Sequence, residues 1–427
     1  MRESLQLIDA KIPGFDAPIG TEKAKLIESK LKEWHSSDFA GYRRLLDPGS
    51  DCFPNFSEIE KLARERQHGS TGKKIKDFVL LGTGGSSLGP ETMLRALKPM
   101  GEAPHFHFMD NNDPVWFQWM LQNLDPETTL FYVVSKSGKT PETISQFLVS
   151  LAWAQKKLPD NDWKKHFVLC TDPSKGDLRE LASRWNLACL DVPSPVGGRF
   201  SVLTPVGLFP AAFVGLSLPA FLEGARSVAV WEKNAWDENP CARLARSLVE
   251  NARKFPITIF MPYSSRLQAF SRWFCQLWAE SLGKGGHGFT PYPAIGTTDQ
   301  HSQMQLYMEG PRDKVVILVH VKESRETLPL TLPEKVAGLP SFEELRGKSM
   351  LHLFDAEFRA TRDALTNQGV PNCTIEVDHL DEFAVGALFF FCESTTAIAG
   401  ALMELNPFDQ PGVEAAKVLT KKYLAEV

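Results

Sequence analysis

Apolar residues along the chain fall into short, near-continuous runs separated by stretches of helical spacing. Residues 74–81 end in Phe78-Val79-Leu80-Leu81, an unbroken apolar run. Such a run predicts a parallel strand buried on both faces. Residues 105–110, 128–135, 166–170 and 188–191 repeat the pattern, and helical segments over 92–98, 115–124, 141–158 and 178–185 alternate with them. Strand–helix alternation of this kind predicts βαβ units and a doubly wound parallel sheet. A second block has strand runs at 257–261, 314–321 and 373–377, with helices over 266–282, 355–367, 383–405 and 411–425. Residues 21–34, rich in Lys, Glu and Leu, read as a polar helix. The expected architecture is α/β: one domain over residues 40–215, a second over 230–405, and helical extensions over 1–39 and 406–427 packing on them. The seam falls near residues 216–230.

Two long apolar stretches qualify this picture. Residues 201–222 carry no charge but contain Pro205, Pro210 and Pro219, each of which breaks a helix. Residues 384–405 carry Glu393 in the middle. Both are read as buried core segments, not membrane spans. The 427 residues, 43% hydrophobic and 23% charged, suit a globular chain with a large core. A net charge of −5 argues against nucleic acid as the main partner but leaves room for a small anion. The seven cysteines are scattered and form no CxxC pair, and no apolar run follows Met1. These features predict a reduced, cytoplasmic protein without a zinc ribbon or secretory signal.

The first strand leads into Gly82-Thr-Gly-Gly-Ser-Ser-Leu-Gly-Pro90. Glycines let successive N–H groups point at one spot, and Pro90 suits the first turn of the following helix. The loop reads as a site for a phosphate or similar anion. It lacks the closing Gly-Lys-Ser/Thr of a Walker loop, and Ser87 stands where a dinucleotide fingerprint needs its third glycine. The third strand ends in Ser135-Lys-Ser-Gly-Lys-Thr-Pro-Glu-Thr143. Thr140 is placed to cap the next helix with Pro141 at its first position, and Ser135, Ser137 and Thr140 can donate to an anion beside Lys136 and Lys139. Two such loops on neighbouring parallel strands converge at the carboxyl edge of the sheet, where these folds bind ligands.

Four further features carry candidate chemistry. Arg199, in Val196-Gly-Gly-Arg-Phe-Ser201, is the one charge between Asp191 and Glu223, so it faces a polar site or a buried partner. Glu280 lies off the apolar face made by Leu267, Phe270, Phe274 and Leu277, in the last turn before Gly283. A carboxylate there sits against the helix dipole, which suits a general base. His301 lies within a glycine-rich polar stretch over residues 283–302. Lys417 shares the less polar face of the last helix with Val413, Ala416, Thr420, Tyr423 and Leu424, which predicts a buried face and a pairing or ligand-binding role.

Taken in order, Gly82 to Pro90, Ser135 to Thr143, Val196 to Ser201, Glu280-Ser-Leu-Gly-Lys284, Gly296 to Ser302 and Phe408-Asp-Gln-Pro-Gly-Val-Glu-Ala-Ala-Lys417 closely resemble the motifs of the phosphoglucose isomerase family, short bacterial-type branch. The resemblance spans residue 75 to the end. It implies two domains of the sugar-isomerase (SIS) type and a homodimer. It also implies aldose–ketose isomerisation of glucose 6-phosphate and fructose 6-phosphate through a cis-enediol, without metal or organic cofactor. By the same resemblance Gly85, Ser86, Ser135, Ser137 and Thr140 bind the phosphate, and Lys136 lines its site. Arg199 stabilises the enediolate, and Glu280 moves the proton between C2 and C1. His301, contributed by the neighbouring subunit, and Lys417 serve ring opening, and Gln410 lies over the sugar. The chain departs from many relatives at Gly138-Lys139 and at Asp299, which bears on substrate preference. Competing readings are an isomerase of another phosphosugar such as mannose 6-phosphate, a non-catalytic sugar-phosphate sensor on the same fold, and a dinucleotide oxidoreductase. The joint presence of Glu280, His301 and Lys417 counts against the sensor, and the broken glycine fingerprint against the oxidoreductase.

Overall fold

The computed structural model describes residues 4–98, 104–322, 327–336 and 338–426. The first sheet contains β2 (Asp77–Leu81), β3 (His105–Met109), β4 (Thr129–Val134), β5 (Phe167–Thr171) and β6 (Ala188–Asp191), following β1 (Leu5–Ile8) in the chain. Its order is β3-β2-β4-β5-β6, with every pairing parallel. Along β2, Phe78 and Leu80 point into one core and Val79 and Leu81 into another, so both faces are covered and the apolar run is continuous. The strand order reverses between β2 and β4. Doubly wound sheets bind ligands at such a switch point, and both anion-type loops leave the sheet there.

The second sheet has the order β1-β10-β9-β7-β8, with β7 (Ile257–Tyr263), β8 (Thr290–Pro293), β9 (Lys314–Val321) and β10 (Asn372–Val377) mutually parallel. Two of its strands escape the sequence pattern. β1 pairs antiparallel with β10, Leu5 opposite Val377, so the first forty residues are not simply a helical extension: they complete a sheet whose other strands come from the far half of the chain. β8 contains Pro291 and Pro293 and occupies the other edge, where missing N–H donors face no neighbour. Each is four residues long, too short for periodicity to register.

The helix Glu382–Leu402 is buried from Ala384 to Ala401. It is the one described helix long and apolar enough to cross a membrane, and here it is core. It crosses the helix Leu218–Ala229 so closely that a Cβ at Gly386 would lie 2.0 Å from the Phe221 carbonyl oxygen, and one at Gly224 would lie 1.8 Å from that of Phe383. The apolar stretch over 201–222 forms two helices, Pro205–Phe213 and Leu218–Ala229, separated at Gly215 with φ 79°. Pro205 and Pro219 sit in the first turn, where no donor is needed, and only Pro210 is internal. One apolar cluster runs from Leu5 to Phe408 and includes strands of both sheets. The two α/β units therefore share a core.

The last helix, Glu414–Leu424, departs from expectation. It has no buried residue, and every described position from 411 to 426 is exposed. Val418, Leu419, Tyr423 and Leu424 are between 48% and 65% exposed. Over the described residues 406–426 the segment thus does not pack on the domains as a whole; only its beginning, at Pro407 and Phe408, is buried.

Glu393 is fully enclosed in the Glu382–Leu402 helix, 1% exposed, and its Oε1 has no hydrogen-bond partner. Burial pushes its carboxyl well above the usual carboxylate range, which favours the protonated form in the folded protein. An unfolded chain ionises it near the ordinary value of 4.5. Above that pH the folded state holds the extra proton, so this residue makes stability fall as pH rises, by up to about 1.4 kcal/mol per pH unit. Glu393→Gln, which keeps the shape without the proton, removes this dependence. Urea unfolding from pH 5 to 8 should show the stability difference between variant and parent growing with pH; a difference independent of pH contradicts the assignment.

Candidate active site

The two loops at the switch point are built differently from the expectation. The helix after β2 begins at Gly85, not near Pro90, so Gly85 to Gly89 form its opening turns and Pro90 lies inside it. Low-propensity glycines disguise that start. Gly84, with φ 55° and ψ −127°, turns the chain into the helix. A Cβ there would lie 2.8 Å from Gln276 Nε2, and one at Gly85 would lie 2.2 Å from the Gly198 carbonyl oxygen and 2.7 Å from Arg199 N. The two glycines therefore allow the first loop to press against both the helix Gln268–Leu282 and the Gly198–Phe200 turn. Ser86 is half-buried beside them.

In the second loop Thr140 occupies the helix N-cap and Pro141 the first turn, as expected, but the Thr140 hydroxyl does not cap. It meets Ser135 Oγ at 2.8 Å and lies 3.5 Å from Ser137 Oγ. Three hydroxyls thus converge on one spot. Gly138, with φ 64°, and Gly176, with φ 96°, let the loop after β5 lie against this one; a Cβ on Gly176 would be 2.3 Å from the Ser137 carbonyl oxygen. Lys136 is half-buried, and burial lowers its proton affinity against the opposing pull of Asp172. No described carboxylate lies within ion-pair distance of it, whereas the exposed Lys139 reaches Asp177 at 3.7 Å.

Arg199 is 3% exposed, and each guanidinium nitrogen is engaged. Its Nε donates to Ser281 Oγ at 2.7 Å and its Nη1 to Gln410 Oε1 at 3.0 Å. Its Nη2 donates to the carbonyl oxygens of Pro407 at 2.6 Å and Asp409 at 2.9 Å. Nη1 also lies 3.3 Å from Glu280 Oε1. Burial lowers the proton affinity of Arg199, and Glu280 and Asp409 oppose that. The structure therefore brings Arg199, Glu280 and Gln410 together and sets Gly85 against the same turn.

His301 and Lys417 stand apart. His301 is exposed just after the Thr298–Gln300 turn and has no hydrogen bond or ion pair to Glu280, Arg199 or Gln410. Lys417 lies on the exposed last helix and pairs with Glu414 at 2.6 Å. The buried face expected around Lys417 is not seen: within one chain that face meets solvent.

Three residues at the site were not singled out by sequence reasoning. Gln276, one turn before Glu280, donates from Nε2 to Glu280 Oε2 at 3.1 Å and bridges it toward Gly84. Its i, i+4 spacing was the available signal. Ser281 and Lys284 belong to the Glu280 motif, but their partners lie far along the chain. Among the described residues no three His, Cys, Asp or Glu side chains cluster closely enough to hold a metal ion. A cavity of about 920 Å³, lined by residues including His35, Arg43, Arg226 and Phe390, contains none of the expected site residues.

The chain matches the phosphoglucose isomerase family pattern over residues 55–326 and 347–427. It is 43% identical over 373 residues to a glucose-6-phosphate isomerase from Rubrobacter xylanophilus, covering 85% of each chain. It is 41% identical over 432 residues to one from Thermus thermophilus, covering 99% of this chain and all of the relative. The crystal structure of a hypothetical protein from Thermus thermophilus superposes with a TM-score of 0.90 at 37% identity, covering 99% of this chain and 100% of that one. The protein belongs to the phosphoglucose isomerase family.

The tight packing at Gly85 predicts a specific sensitivity. Gly85→Ala forces its methyl group into the Gly198 carbonyl and should lower stability by about 1–3 kcal/mol in urea unfolding. Gly412→Ala, with nothing within 4 Å of its added carbon, should stay within about 0.5 kcal/mol of the parent. Equal effects would contradict the packing argument.

Proposed function

We infer that the protein interconverts glucose 6-phosphate and fructose 6-phosphate by proton transfer through a cis-enediol. The observation that carries this reading is the pairing of Glu280 with the sealed guanidinium of Arg199, beside hydroxyl-lined loops suited to a phosphate. Ser135, Ser137, Thr140, Gly85 and Ser86 hold the phosphate with Lys136 beside it. That anchorage lets binding energy remote from the reacting carbons orient the sugar.

Lys417 and His301 exchange protons with the ring oxygen and O1 as the sugar opens, and Gln410 lies over the sugar. Glu280 takes the proton from C2 as electrons move toward O1, and the hydroxyl proton passes from O2 to O1 across the cis-enediol. Glu280 then returns its proton to C1 while O2 becomes the ketone oxygen. Arg199 offsets the negative charge developing on the oxygens. Because its nitrogens are already engaged by protein acceptors, it acts through its charge in a fixed position rather than by swinging to meet the substrate.

We also infer a homodimer in which His301 is donated across the interface. His301 is exposed, and so is the apolar side of the last helix, as a surface awaiting a partner would be. Seven free thiols suit the cytoplasm.

Fructose 6-phosphate should be converted by the purified protein in the presence of EDTA, with glucose 6-phosphate read through a coupled dehydrogenase. Glu280→Gln should lower kcat by about 10²–10⁴-fold while phosphosugar binding persists. Full activity in that variant overturns the base assignment. No turnover in the parent, with binding intact, points to a sensor or to another phosphosugar, for which mannose 6-phosphate is the next substrate to try.

Sharing of His301 makes a separate prediction. Equal amounts of inactive Glu280→Gln and His301→Ala proteins, allowed to exchange subunits, should recover about a quarter of parent activity, because half the dimers are mixed and each carries one intact site. No recovery despite exchange contradicts donation across the interface.

A further inference from the structure

We propose that Lys284 is a positioning residue for the isomerisation: its ammonium pins the segment from Asn406 to Gln410 so that this segment holds Arg199 opposite Glu280. Lys284 Nζ pairs with Asp409 Oδ1 at 2.7 Å and donates to the Asn406 carbonyl oxygen. Its side chain is 12% exposed, and it stands one turn beyond Glu280, just after the end of the same helix. The pinned segment supplies three of the acceptors around Arg199: the carbonyls of Pro407 and Asp409, and Gln410 Oε1. A single cation thus ties the end of the base-bearing helix to the strap that fixes the guanidinium.

Apart from Arg199 itself, the other restraints on the strap among the described residues act on its middle. Phe408 is wedged among Trp34, Tyr42 and Phe200, at centroid distances of 5.4, 5.7 and 5.1 Å. Asn406 Oδ1 accepts from Phe408 N. These fix the middle of the segment. Asp409 is itself 55% exposed at its side chain, and its carboxylate pairs with Lys284. Without the ammonium the Asp409 carbonyl and Gln410 lose their anchor, and Arg199 can follow them away from Glu280. A displacement of about 1 Å in such a group costs up to about 100-fold in rate.

This inference rests on the reading of Glu280 as base and Arg199 as its electrostatic partner. Lys284→Met should lower kcat about 10- to 100-fold with KM within about threefold of the parent. Lys284→Arg, which keeps the charge and can reach the same acceptors, should recover most of the loss. Asp409→Asn should show the same kcat-selective loss, and the double variant Lys284→Met/Asp409→Asn should be little worse than either single one. If Lys284→Met does not fold, Asp409→Asn and Lys284→Arg carry the test.

A kcat unchanged in Lys284→Met or in Asp409→Asn overturns the proposal, as do a rise confined to KM and fully additive losses. An active Glu280→Gln would instead remove the reading beneath it. An inactive Glu280→Gln beside an unaffected Lys284→Met would defeat the positioning role alone.

Discussion

The burial of one guanidinium organises this molecule. Removing an arginine's charge from water costs several kcal/mol unless every donor finds an acceptor. Arg199 meets that condition with atoms from distant stretches: Ser281 and Glu280 at the end of one helix, and Pro407, Asp409 and Gln410 beyond another. Arg199 itself follows the strands of the first sheet, its first partners follow β7, and the others follow the central helix Glu382–Leu402. All three stretches must meet in register for the charge to be tolerated. The glycines at 84 and 85 serve the same end, since side chains there would separate the first loop from Gln276 and from the Arg199 turn.

Apolar packing supplies the frame within which that register is held. The central helix is buried on all sides, so its apolar residues need no periodicity, and it belongs to a core cluster that includes strands of both sheets. Close crossing at Gly224 and Gly386 brings backbone against backbone and leaves little room for the two units to slide. The aromatic group of Trp34, Tyr42, Phe200 and Phe408 then connects the N-terminal segment to the turn bearing Arg199 and to the strap that holds it. A segment that looked peripheral in the sequence thereby backs the site, while its β1 completes the other sheet.

What could be read from the sequence follows from which physical signals are local. The interior strands announce themselves because a parallel strand covered on both faces must be continuously apolar, and β9 falls on residues 314–321 as expected. The edge strands β1 and β8 do not, because their pairing is decided by a free edge elsewhere and Pro291 and Pro293 argue locally against it. The anion-type loops were legible from glycine and hydroxyl content, although the helix start at Gly85 was hidden by the residues that make the loop useful. Arg199 was legible as an isolated charge in apolar surroundings. Its acceptors were not, since Pro407 lies 208 residues away and a backbone carbonyl leaves no mark in a sequence. The surroundings of Lys417 were illegible for the opposite reason: helical spacing shows which residues share a face, but not what covers it.

The residues proposed for the reaction divide into a sealed group and an exposed group, and the division follows the proposed chemistry. Moving a proton between adjacent carbons requires a carboxylate and a compensating charge whose separation does not drift, because the stabilising field must already be in place when the enediolate forms. Glu280 and Arg199 have that character, each held by side chains or carbonyls of the same chain. Opening the sugar ring makes a different demand. The ring must enter before the donors close on it, and groups on exposed segments can approach from the solvent side. His301 and Lys417 sit on such segments. The strap from Asn406 to Gln410 lies between the two groups: it grips Arg199 from within and continues directly into the helix bearing Lys417. Any movement of that helix toward a bound sugar is therefore resisted or transmitted at Asp409, where Lys284 holds it.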